Sequence, residues 1–151
     1  MIELRKITEE DFHDVLSLEL SEAQQQAKLV APNVRSLAEA WLYRENEDVF
    51  PYAVYNNEEL VGFILIDVDE EERAYMIWRM MIDKNHKGKG YGKKLVKKVI
   101  EIAREREDMD VLHCNYVVGN DAMKKIVESF GFVSNGFDDE HNEQLMKLDV
   151  K

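Results

Sequence analysis

The chain has 151 residues, 45% of them hydrophobic, and carries 20 Lys and Arg against 31 Asp and Glu, for a net charge of -11. That length suits one domain, 1–151, able to bury about 70% of its unfolded surface, and the acidic excess disfavours nucleic acid and anionic membranes while attracting cationic ligands. The charged opening MIELRKITEEDF excludes a signal peptide, no apolar run approaches a membrane span, and the single Cys114 cannot close an internal disulfide, so a cytoplasmic protein is expected.

Ile2 to Ile7 alternates apolar and polar side chains and predicts a half-exposed strand. Thr8, with Asp11 three residues on, predicts the start of a helix whose stripe is Phe12, Val15, Leu16 and Leu20. Ser21 to Asn33 is polar and weakly patterned, and Ser36-Leu37-Ala38-Glu39 has the form of a capping box opening a second helix with Leu37, Ala40, Trp41 and Leu42. Phe50 to Tyr55 and Leu60 to Val68 predict a hairpin, in which Gly62 signals a bulge or a close backbone approach. Tyr75 to Ile82 predicts a buried strand, with Trp41, Trp78 and the Met76, Met80, Met81 run assigned to the core. A third helix carries Leu95, Val96, Val99, Ile100 and Ala103 on one face; then come a strand, Val111 to Val117, a helix, Asn120 to Phe130, stopped by Gly131, and two strands, Phe132 to Gly136 and Gln144 to Val150, joined through Asp138-Asp139-Glu140. Cys114 is expected as a buried thiol.

The segment DKNHKGKGYGKK between the Tyr75–Ile82 strand and the third helix inverts the usual start of a helix. Acids normally sit there, because free N–H groups and the dipole favour negative charge; here Gly88, Gly90 and Gly92 bare the backbone, and Lys87, Lys89, Lys93 and Lys94 gather where the dipole opposes them by about 0.3–1 kcal/mol each. An external anion cradled by backbone amides accounts for both features, which points to a polyphosphate. The P-loop pattern does not fit, because no Ser or Thr is placed to hold magnesium, and the dinucleotide fingerprint does not fit either, the glycines running G-x-G-x-G. No metal is expected. Residues 84–98 hold seven Lys and no acid, leaving 13 cationic against 31 anionic side chains elsewhere.

Lys87-Gly88-Lys89-Gly90-Tyr91-Gly92 resembles the [QR]-x-x-G-x-[GA] loop of the GNAT superfamily of acetyl-CoA-dependent N-acetyltransferases, with Lys87 where Gln or Arg is usual. Asn120 followed by Phe130-Gly131-Phe132 is similar to a second signature of that family, and Val30-Ala31-Pro32-Asn33, Ser36-Leu37-Ala38-Glu39-Ala40, Trp78-Arg79 and Ile82-Asp83 resemble bacterial spermine/spermidine (diamine) acetyltransferases. The resemblance implies an α+β (α/β) sandwich: a mixed, mostly antiparallel sheet of about seven strands with about four helices, strands four and five splaying apart around acetyl-CoA. It places strand contacts at Met80, Met81 and Ile82, diphosphate contacts at Lys87, Gly88, Lys89, Gly90, Tyr91, Gly92 and Lys93, a helper amide at Asn120, and a homodimer as one assembly. The acceptor it implies is a polyamine or other small cationic amine, with Glu19, Glu22 and Trp78 as candidate contacts.

Two roles common in such enzymes have no obvious owner. The proton-donating Tyr, seven residues after the Asn, falls on Val127, and the carboxylate base that some relatives carry falls on Asn115. Tyr116 is a substitute candidate for the donor, and His86 beside the loop is assigned to solvent or phosphate. Since general acid–base groups contribute typically about 10²- to 10⁴-fold each, a slower transferase remains consistent with the sequence. An acyl-CoA-binding sensor or partner protein and a protein N-acetyltransferase stand as the alternatives.

Overall fold

A computed structural model describes residues 1–151. In chain order the elements are β1 (Ile2–Lys6), α1 (Phe12–Ser17), α2 (Glu22–Gln26), α3 (Asn33–Leu42), β2 (Val49–Asn56), β3 (Glu59–Asp69), β4 (Ala74–Ile82), α4 (Tyr91–Glu105), β5 (Val111–Cys114), β6 (Tyr116–Val117), α5 (Asp121–Ser129), β7 (Val133–Asp138) and β8 (Glu143–Asp149). The eight strands form one sheet in the order β1-β2-β3-β4-β5-β8-β6, with β7 on β8; only β4 and β5 run parallel. No helix is long and apolar enough to cross a membrane.

The sheet is covered on both faces, and the period-2 alternation of the strands sorts their side chains between two cores. Val54, Ile64, Ile66 and Ile77 join Leu95, Val96, Val99 and Ile100 of α4 and Met123 and Val127 of α5. Ala53, Phe63, Leu65 and Met81 point the other way, onto Val15 of α1 and Leu37 and Ala40 of α3. Double coverage explains why β3 reads as an unbroken apolar run.

Several boundaries differ from the sequence expectations. The first helix starts at Phe12: Asp11 occupies the cap position and its Oδ1 accepts the Thr8 N–H at 2.8 Å, so Thr8 closes the turn before the helix. Phe12 is exposed and Leu20 lies beyond the helix end, which leaves Val15 as its buried contact. The polar stretch after it contains α2, nucleated by a Ser21–Gln24 capping box; this fifth helix, one more than expected, is too short for an apolar stripe. Ser36 and Glu39 do not cap α3, which begins behind Pro32; Ser36 is buried mid-helix, and both side chains accept from Arg79 Nη1 of β4. Trp41 is 66% exposed, its ring covered by the Arg44 guanidinium 3.5 Å from the ring centroid, so it lies outside the core.

The eighth strand arises at Asn115, whose Oδ1 accepts the Met146 N–H at 3.0 Å and divides the predicted Val111–Val117 strand into β5 and β6. Gly131, with φ +86°, ends α5 as expected, the Phe132 N–H returning to the Val127 carbonyl. Gly62 meets both of its expectations. Val61 is the extra residue of a bulge against Val54 and Tyr55, and a Cβ on Gly62 would stand 2.4 Å from the Met81 carbonyl oxygen.

Candidate active site

Strand β4 builds the site by leaving its partner. It pairs with β5 only from Ala74 to Ile77, and beyond Cys114 the chain pairs with β8 instead, so the edge of β4 from Trp78 onward has no strand beside it. A bulge at Trp78, between the pairs Leu65–Arg79 and Ile66–Ile77, re-aims the side chains just where the gap opens. Two cavities fill the gap. The smaller, about 400 Å³, runs to the glycine loop; the larger, about 680 Å³, runs toward α3 and the β7–β8 turn. Both are walled by Leu29, Val30, Met80, Asn120 and Met123, so they meet at one junction.

The smaller cavity gathers Met80, Met81, Ile82, Lys87, Gly88, Gly90, Tyr91, Gly92, Lys93 and Asn120, with His86 beside them; Lys89 is exposed outside its wall. Gly90 forms the start of α4 in the left-handed region, φ +78°, where an added Cβ would meet nothing within 4 Å. The first helical bond of α4 is Lys94 N–H to Gly90 O, and the amides of residues 88–93 donate to no protein acceptor. Partial burial holds the Lys87 ammonium below its usual pKa. Bare amides, open space above the glycines and two flanking lysines fit a diphosphate. Gly92 serves packing: a Cβ there would press to 3.4 Å from Ile126 Cδ1 of α5.

A buried carboxylate shapes this loop. Asp83 Oδ1 accepts the Glu19 N–H at 2.9 Å and Oδ2 the Asn85 N–H at 3.3 Å, while the Lys84 N–H donates to the Glu19 carbonyl. Glu19 also pairs with Lys84 Nζ at 2.7 Å. The structure brings neither Glu19 nor Glu22 to a cavity wall. The His86 ring is mostly buried, Nε2 lying 3.4 Å from Glu59 and Nδ1 without a hydrogen-bond partner.

The larger cavity holds Trp78 and Tyr116 together with residues that the sequence did not mark as site candidates: Arg35, Glu39, Arg79, Asp138, His141 and Glu143. Arg79 is fixed by Ser36 and Glu39 and lies 4.7 Å from the centroid of the Trp78 ring; Arg35 also reaches Glu39, at 3.4 Å. Asp138 accepts from His141 Nδ1 at 2.8 Å, which raises the imidazole pKa and lowers that of Asp138. Glu143 is half-buried, and its desolvation raises its pKa. No local motif links these positions, because α3, β4, β6 and β8 bring them together only in the folded sheet.

Asn115 is committed to Met146 and Val127 is fully buried on the core face of α5, so neither residue offers a titrating group to the site. At Val127 a Tyr has no room. Val127→Tyr is expected to destabilise the fold by about 1–3 kcal/mol and to leave turnover no higher, checked by thermal unfolding and CoA release; a stable, faster variant would contradict this placement.

A profile of the acetyltransferase (GNAT) family matches residues 4–132. Along the whole chain the protein is 27% identical over 151 residues to a probable spermine N(1)-acetyltransferase of Bacillus subtilis subsp. natto, covering 96% of each. Its fold is similar to that of the spermidine N-acetyltransferase of Vibrio cholerae in complex with CoA and spermine, with TM-score 0.71 and 15% identity over 97% of this chain and 92% of that one. It is equally similar to the Salmonella typhimurium acetyltransferase that modifies the N-terminal serine of ribosomal protein L7/L12, with TM-score 0.74 and 14% identity over 99% and 95%.

Proposed function

The chain belongs to the acetyltransferase (GNAT) family, and from that premise we propose that residues 1–151 act as one domain that transfers acetyl from acetyl-CoA to a primary amine of a polyamine or another small cationic amine. One observation carries the proposal: a cavity suited to a diphosphate and a cavity walled by carboxylates meet at Met80 and Asn120, at the unpaired edge of β4. The donor's diphosphate is held by the amides of residues 88–93 with Lys87 and Lys93, and its acetyl end is directed to the junction. The acceptor enters through the larger cavity.

An alkylammonium with a pKa near that of lysine, about 10.4, is neutral in less than about a thousandth of molecules at pH 7, so the site must remove a proton before the nitrogen can attack. The tetrahedral oxyanion is stabilised by an N–H of β4 near Met80, on the edge that no strand occupies. Tyr116, whose hydroxyl makes no hydrogen bond within the protein, stands in the cavity as proton donor to the departing thiolate. The preference for polyamines is supported by the B. subtilis relative and by Glu39, Asp138 and Glu143 on the acceptor wall. Arg35 and Arg79 engage Glu39, so the acidic character concentrates at the β7–β8 end.

The test is CoA release from acetyl-CoA with spermine, spermidine, short diamines and an N-terminal peptide. Turnover with the polyamines above the peptide is expected. Peptide turnover alone would move the acceptor class to proteins, and silence with every amine would refute the transferase.

A further inference from the structure

Three carboxylates line the acceptor cavity, and two are already engaged: Glu39 by Arg79 and Arg35, Asp138 by His141. The Glu143 carboxylate makes no hydrogen bond and no salt bridge, although it is half-buried, where an unpaired charge is costly, and has an oxygen within 4.8 Å of the polar side-chain atoms of Asp138 and His141. It lies at the start of β8, paired with Val117 of β6 and Asp138 of β7, and it lines the same cavity as Tyr116. Building on the acetyltransferase function above, we propose that Glu143 is the base that takes the proton from the acceptor ammonium.

The chemistry balances around it. The Glu143 carboxylate accepts a proton from R–NH3⁺, giving R–NH2 and a carboxylic acid. The nitrogen lone pair then forms the C–N bond to the thioester carbonyl carbon, and the C–S bond breaks with its electron pair on sulfur. Of the two protons the nitrogen sheds in becoming an amide, one leaves to solvent through Glu143 and the other ends on the CoA sulfur. The groups around Glu143 suit the task. Burial and Asp138 of β7 raise its affinity for a proton, while His141 of the β7–β8 turn and Arg79 of β4 oppose that rise. Tyr116 of β6 and the Arg35–Glu39 pair of α3 complete the wall. Since the carboxylate must be ionised to act, kcat/KM falls as pH drops through the raised Glu143 pKa.

The experiment compares wild type, Glu143→Gln and Glu143→Asp, recording kcat and kcat/KM for spermidine from pH 5.5 to 9 and CoA affinity by calorimetry as the folding control. Glu143→Gln is expected to lose about 10²- to 10⁴-fold in kcat, to lose the acid limb of the profile and to bind CoA as wild type does. Glu143→Asp should restore the acid limb and much of the rate. A Gln variant whose kcat stays within threefold with the acid limb intact overturns the proposal, even if KM rises, because that pattern belongs to an ammonium anchor. Wild type inactive on every amine refutes the transferase itself and the base with it.

Discussion

Gly90→Glu is expected to raise the dissociation constant for CoA at least about 100-fold, close to 2.7 kcal/mol, in a protein that still folds. Two effects act at this position. Its φ of +78° disfavours any side chain by about 1–2 kcal/mol, and the new carboxylate projects into the open space above the amides of residues 88–93, the site proposed for the diphosphate. Gly90→Ala carries the same backbone strain without the charge, and it should weaken CoA far less. Calorimetry on both variants separates strain from electrostatics. A folded Gly90→Glu protein that binds CoA within threefold of wild type would remove the diphosphate from this loop.

The largest effect on stability is expected at Gly62. A methyl group there would stand 2.4 Å from the Met81 carbonyl oxygen and 3.0 Å from Ile82 Cδ1. The isoleucine end can turn aside, but the carbonyl belongs to the β3–β4 ladder and can retreat only if the two strands part at the middle of the sheet. Gly62→Ala should therefore cost about 3 kcal/mol or more, a large share of the 5–15 kcal/mol typical of a domain, and lower Tm by roughly 6–12 °C. CoA affinity should fall with it, since the displaced residues Met81 and Ile82 line the smaller cavity beside Met80. A melting curve within 2 °C of wild type would show that the strands absorb the methyl group at little cost.

The two variants probe parts of the molecule that were unequally visible in the sequence. The glycine loop was legible as a proposed anion site because its ingredients are neighbours: three glycines and four lysines lie within a dozen residues, between one apolar strand and one amphipathic helix. The strands and α4 followed from periodicity for the same reason. Short-range signals misled where one residue serves a distant partner. Ser36 and Glu39 have the spacing of a capping box, yet both turn to Arg79, 43 and 40 positions away on β4, and the true box at Ser21 and Gln24 opened a helix of five residues too short to show a stripe. Asn115 could not be recognised as a strand divider without Met146. The wall of the larger cavity, apart from Trp78 and Tyr116, stayed hidden for the strongest form of this reason: Glu39, Arg79 and Glu143 come from α3, β4 and β8, and only the folded sheet with its covering helix makes them neighbours. Counting from Asn120 to Val127 gave a position in the signature but not its direction, and that side chain faces the core.

Cys114, at the end of β5, is one of the residues that form the larger cavity's wall but exposes no area to solvent, and burial pushes its thiol up to about 12. Thiolate rather than thiol is the reactive form, so this sulfur is expected to be inert to disulfide dyes at neutral pH. Every sulfhydryl that such a dye detects during catalysis then comes from released CoA, and the native protein can be followed turnover by turnover without masking or replacing a single side chain.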